Sequence, residues 1–161
     1  MQDQEESLLA QKFDDYGAML FRMCMVLLGN QQDAEDAVQD TFVRYWKTRP
    51  DFQSAEHEKA WLIRVAANKS KDRLRSWFRR STTGMEALEG IVQYPNDLFV
   101  LEQLAALPYK DKTILYLHYV EGYRLKEIGD LLGMKENAVK AAAWRGREKL
   151  KLQIKEASAY E

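Results

Sequence analysis

The stretch RLKEIGDLLGMKENAVKAAAWRGREKLK, residues 124–151, decides the fold. Leu125, Ile128, Leu131 and Leu132 recur at helical spacing and predict a short amphipathic helix. Gly133 follows where a sharp turn needs a permissive backbone, and Gly129 lets a second helix approach closely. That second helix turns Val139, Ala143, Gly146 and Leu150 toward a core. Its other face carries Asn137, Lys140, Ala141, Trp144, Arg145 and Arg147. This is helix-turn-helix grammar, in which the second helix enters a major groove with its N-terminal half at base edges. Leucine-rich helix pairs joined by glycine also form plain hairpins, so this stretch alone leaves both readings open.

Working outward, strand signals are nearly absent. A helix runs through DKTILYLHYVE and is expected to be capped by Gly122; another precedes the Leu-Pro pair at 107–108. Residues 81–95, STTGMEALEGIVQYP, break the periodicity with two glycines and a proline and read as a flexible linker. Upstream, Leu9, Phe13, Tyr16, Leu20, Met23 and Leu27 share one face of a long helix ended by Gly29-Asn30. A second helix, from about Asp33 to Lys47, buries Ala37, Val38, Phe42, Tyr45 and Trp46, and Pro50 with DFQSAEHE forms a loop. In the third, WLIRVAANKSKDRLRSWFRR at 61–80, Leu62, Ile63, Ala66, Ala67, Leu74, Trp77 and Phe78 gather on one side. Arg64, Asn68, Lys71, Arg75 and Arg79 form a polar stripe opposite, roughly 20 Å long at 1.5 Å rise per residue. The expectation is an all-α chain: two small helical domains, 1–80 and 96–161, joined by the linker, the second containing the helix-turn-helix.

Net charge is −1, but it is segregated: −6 over residues 1–56, +6 over 57–80, −4 over 81–109 and +3 over 110–161. Alternating blocks imply more than one kind of partner surface. A chain of this balance binds nucleic acid weakly by itself, because little counterion release is available overall. The single Cys24 excludes an intrachain disulfide and a cysteine-rich metal site, and it reads as core. Met19, Met23 and Met25 also read as core filler. His57 and His118 stand apart with no metal-ligand or catalytic arrangement, and no phosphate-cradling glycine loop is present. No metal, cofactor, small-molecule substrate or catalytic residue is expected. The acidic MQDQEES start is unlike a secretory signal, and no apolar run approaches the ~20 residues that span a bilayer. The expected compartment is cytoplasmic.

GNQQDAEDAVQDTFVRYW, followed by AWLIRVAANKSKDRLR, resembles region 2 of the extracytoplasmic-function sigma factors of the sigma-70 family. LPYKDKTILYLHYVEGYRLKEIGDLLGMKENAVK with RGREKL resembles their region 4. The likeness covers about 13–80 and 100–151, in the expected order. It implies a non-enzymatic subunit that binds core bacterial RNA polymerase and gives it promoter specificity. Asp36, Gln39 and Asp40, at steps of three and one, would dock on the polymerase clamp. At the −10 element, Arg64, Lys71, Arg75 and Arg79 would hold phosphate, and Asn68 would read a base edge or an extruded base. Trp61, near the polar arc, joins them, and a loop from Phe52 to Lys59 would hold an unstacked base. At the −35 element, Asn137, Lys140, Trp144, Arg145 and Arg147 would face DNA.

The sequence departs from the family in the recognition helix. Ala138 replaces a common Ser or Thr, and Ala141–Ala143 replace Ser-Arg-Leu. Fewer polar groups imply greater reliance on backbone contacts and DNA shape; Ala141→Arg or Ala142→Arg is then expected to raise −35 affinity. The family also implies an anti-sigma factor, often membrane-anchored, that hides both polymerase-binding faces. Two competitors are an autonomous helix-turn-helix regulator and a nucleic-acid enzyme using clustered carboxylates. The first leaves the acidic helix and the striped helix without a role. The second needs acids in a cleft beside the cations, whereas here they occupy a separate helix.

Overall fold

The computed structural model describes residues 1–77 and 95–159, all of its regular structure helical. The expected core position of Phe78, the phosphate contact of Arg79 and linker residues 81–94 lie outside the described residues, as does the side chain of Trp77. The chain divides into two compact units, Met1–Ile91 and Val92–Glu161.

The first unit packs three helices against one another: α1 (Gln2–Leu28), α2 (Gln31–Thr48) and α3 (Ala55–Trp77). α1 stops where Gly29 enters the left-handed region at φ 66°, its N–H bonding the Met25 carbonyl. Asn30 then caps α2 by accepting from the Asp33 N–H at 2.9 Å. The predicted face of α1 buries Leu20, Met23 and Leu27. Burial then spreads to every residue from Met23 to Leu28, because this apolar run has no polar side to present. Phe13 stays half exposed, though its ring lies 5.1 Å from that of Phe42. On α2 and α3, Ala34, Ala37, Leu62, Ile63 and Ala66 are fully buried. Tyr45 and Trp46 are only partly buried, which corrects their expected core positions. Cys24 is fully buried and accepts a 3.3 Å hydrogen bond from Ser70, and burial pushes its thiol up to about 12.

One expected loop is shorter than its sequence suggested. α3 begins at Ala55, so residues 55–59 are helical and the connection ends at Ser54. The signal was local: the Ser54 hydroxyl accepts from the His57 N–H at 3.2 Å, and Glu56 and Glu58 favour the positive end of a helix.

The second unit contains α4 (Pro95–Ala105), α5 (Tyr109–Tyr119), α6 (Leu125–Leu132) and α7 (Glu136–Ala159). α5 is its axis, with every residue from Asp111 to Leu117 buried. It ends at Tyr119 rather than at Gly122, which instead turns the following loop at φ 79°. Two charged side chains are buried with it. Lys112 donates to the Ala105 carbonyl at 3.2 Å, at the negative end of α4, and Asp111 faces α7. α6 buries Ile128 and Leu131 and is capped by Gly133 at φ 70°. A Cβ on Gly129 would lie 2.8 Å from the Met134 carbonyl oxygen, so only glycine permits this turn to close.

Candidate nucleic-acid interface

In the first unit the polar stripe of α3 is open to solvent: Arg64, Asn68, Lys71 and Arg75 are all exposed. Beside it, α2 and α3 enclose an open groove of about 430 Å³ lined by Arg44, Trp61, Arg64, Val65, Asn68, Lys69 and Asp72. Three cations against one carboxylate, with Trp61 and Val65 beside them, suit a phosphate with an attached planar base. Trp61 belongs to both core and groove. Its ring meets those of Tyr45 and Phe52 edge-on at 5.9 Å each, while its remaining edge lines the groove. Sequence reading missed Arg44, which comes from the facing helix, and Lys69, which sits a third of a turn or so off the stripe at about 100° per residue. Only the crossing of α2 and α3 brings Arg44 to Asn68.

A buried carboxylate fixes that crossing. Glu58 on α3 accepts from Lys12 Nζ at 2.8 Å and Tyr16 OH at 3.1 Å, both on α1, and from Tyr45 OH on α2 at 2.9 Å. Burial pushes its carboxyl up, but the bonds from Lys12, Tyr45 and Tyr16 and the charge of Lys12 prevail and hold it below its ordinary value. The same burial, reinforced by Glu58, pushes Tyr45 up to about 12. One side chain thus ties three helices and orients the Tyr45–Trp61 pair behind the groove.

On α2, Asp36, Gln39 and Asp40 share a flank. Gln39 is exposed and the two carboxylates are partly so. Arg73 of α3 lies 3.2 Å from Asp36 and 3.2 Å from Asp40, and 3.9 Å from the buried Asp33. Arg73 thus faces three carboxylates and holds the acids of this flank in place rather than free to sweep solvent.

In the second unit, Asn137, Lys140, Ala141 and Trp144 are exposed on α7, and Trp144 retains 62% of its surface. Lys140 pairs with Glu136 at 3.4 Å within the same helix. Arg145 points elsewhere than expected. Its guanidinium lies 3.4 Å from buried Asp111, with Lys149 at 3.9 Å, so it anchors α7 on α5 at the margin of the exposed face. Arg147 donates to the Tyr119 hydroxyl at 3.2 Å and is half-buried. Ala142 is fully buried, which overturns the expectation that an arginine there would reach DNA. At about 100° per residue it falls roughly 60° from core residue Val139, whereas Ala141 falls roughly opposite. Gly146 allows the α5–α7 contact, since a Cβ there would lie 2.7 Å from Leu115 Cδ1.

Among the described residues no group of His, Cys, Asp and Glu is arranged to hold a metal ion, and no helix is long and apolar enough to cross a membrane. His118 instead bonds the Tyr123 carbonyl through Nδ1 at 2.7 Å.

The family model for sigma-70 region 2 matches residues 13–80, and that for sigma-70 region 4 matches residues 100–150. The chain is 26% identical over 171 residues to the ECF RNA polymerase sigma factor SigW of Bacillus subtilis, covering 94% of this chain and 91% of that one. It is 28% identical over 163 residues to the ECF RNA polymerase sigma factor SigL of Mycobacterium tuberculosis, covering 94% and 92%. Among solved structures, the sigma factor RpoE in complex with the anti-sigma factor NepR from Bartonella quintana superposes with TM-score 0.71 at 20% identity, covering 91% of this chain and 96% of that one. CnrH in complex with the cytosolic domain of CnrY gives 0.66 at 23% identity, covering 93% and 89%. At these identities the structural likeness speaks for the fold.

Proposed function

Since the chain belongs to the sigma-70 family, in its extracytoplasmic-function branch, we propose that it binds core bacterial RNA polymerase and directs it to promoters through −10 and −35 elements. The family consists of transcription initiation factors rather than catalysts, and no catalytic residue is assigned. Residues 1–80 form the polymerase-docking and −10 domain, 81–95 the linker, and 96–161 the −35 domain. The protein works in the cytoplasm, where polymerase and promoter DNA are found.

The observation that carries this reading is the groove around Asn68, with Arg44, Arg64 and Lys69 about it and Trp61 at its wall. Its polar amide, cations and aromatic wall suit a base turned out of the −10 strand, with Arg64, Lys71, Arg75 and Arg79 on phosphates. Asp36, Gln39 and Asp40 dock on a basic face of polymerase. In region 4, Asn137, Lys140 and Trp144 face the −35 duplex, Arg147 flanks them, and Arg145 supports them through Asp111. By likeness to the Bartonella complex, in which the sigma factor RpoE is bound by the anti-sigma factor NepR, an anti-sigma factor holds this chain inactive.

The test is transcription in vitro with core bacterial polymerase, with and without the protein, on a library of promoter fragments. Defined transcripts that need the protein are expected. Asn68→Ala is expected to lower −10-dependent initiation by roughly tenfold, the worth of one good base contact, with core binding unchanged. Asp40→Arg is expected to weaken core binding instead. Tight, specific duplex binding by the protein alone, with no initiation from core, would point to an autonomous regulator.

A further inference from the structure

We infer that the recognition helix reads the 5-methyl group of thymine in the −35 element, through Trp144 with Ala141 beside it. This deepens the region 4 reading above and rests on it. The polar inventory of the exposed face of α7 is short. Arg145 is turned to Asp111, Arg147 bonds the Tyr119 hydroxyl, and Lys140 is paired with Glu136. Asn137 is left as the base-reading amide near the start of the helix. The centre of the face is apolar: Ala141 is exposed, and Trp144, one turn of helix further than Lys140, is 62% exposed.

A tryptophan so exposed on a rigid helix keeps a large apolar area in water that a partner can cover. The surrounding residues say which. Lys140, Arg147 and Lys151 lie around it on the same helix; Lys140 and Lys151 pair with Glu136 and Glu148 at 3.4 and 3.3 Å, but the cations outnumber the acids and favour a polyanion. A DNA major groove offers one apolar group at base edges, the thymine methyl, and small or aromatic side chains are its usual contacts. Ala141 therefore does more than remove a polar contact, while Ala142 and Ala143 are buried against the core. By staying small, Ala141 lets the helix sit deep enough for the indole of Trp144 to cover a methyl group.

The experiment uses polymerase holoenzyme formed with the full chain. Templates are selected from a promoter library randomised across the −35 region, and each thymine in the selected elements is then replaced by deoxyuridine, which removes only the methyl group. The selected elements are expected to contain thymine, and uracil at one or more −35 positions should lower initiation about fourfold, the worth of one buried methyl. Trp144→Ala should abolish that penalty, and Trp144→Phe, which keeps the apolar ring without the indole N–H, should retain it. Selected elements without thymine, equal activity on the two templates, or a full uracil penalty in Trp144→Ala would each overturn the inference. Initiation indifferent to the whole −35 sequence would overturn the region 4 reading itself.

Discussion

Replacing Glu58 by alanine tests how the first unit is held together. The carboxylate accepts three hydrogen bonds, from Lys12, Tyr16 and Tyr45, at 2.8, 3.1 and 2.9 Å, and is almost fully buried. Bonds to a charged acceptor contribute about 1.5–3 kcal/mol each, but the two tyrosines and Lys12 are only partly buried and regain water when Glu58 is removed. A net loss of about 3 kcal/mol follows, at the low end of what breaking a buried pair costs. For a unit of this size that lowers Tm by roughly 12 °C or more. Scanning calorimetry of the full chain should show the transition of the N-terminal unit moving while that of the C-terminal unit stays. Glu58→Gln, which keeps the shape and loses the charge, should cost about half as much. The pH dependence is set by the lowered carboxyl: its contribution is fully present above the ordinary value of 4.5 and is lost as pH falls through the lower folded value. The gap between wild type and Glu58→Ala should therefore be constant from pH 8 to about 5 and narrow below that. A Tm change under about 3 °C, or a gap indifferent to acid, would refute the role given to this carboxylate.

Ala141→Arg, on the exposed face of α7, should fold normally and steepen the salt dependence of promoter binding by about one phosphate contact, measured as polymerase binding against salt. Ala142→Arg should instead destabilise the second unit by about 2 kcal/mol or more through overpacking, seen in thermal melts. Burial holds Lys112 down to about 8, so the folded unit loses its proton before the unfolded chain does. Stability of the second unit should accordingly rise as pH climbs from about 8 toward the ordinary 10.5, and Lys112→Met should erase that rise in melts across the range. The Cys24 thiol, buried and pushed up to about 12, should resist alkylation by iodoacetamide at pH 8 in the native protein and react readily in urea, as read by mass spectrometry.

The helices, their faces and their ends were legible because they depend on neighbours three or four residues apart. Gly29 and Gly133 stop helices where the sequence said, and the stripe from Arg64 to Arg75 faces water as its spacing required. The start of α3 was missed, because the polar run after Pro50 read as loop and hid the Ser54 cap. Where reading failed otherwise, the deciding partner lay on another helix. Charge sign alone could not show that Arg145 turns to Asp111, 34 residues away, or that Arg73 reaches Asp40, 33 residues away. Glu58 looked like one more acid in a loop, and only the meeting of three helices gives it three donors. A helical face follows from local geometry, so the sequence by itself determined which residues could meet a partner. Which cations stay available to that partner depends on long-range packing, because a buried carboxylate must find a donor wherever the fold supplies one.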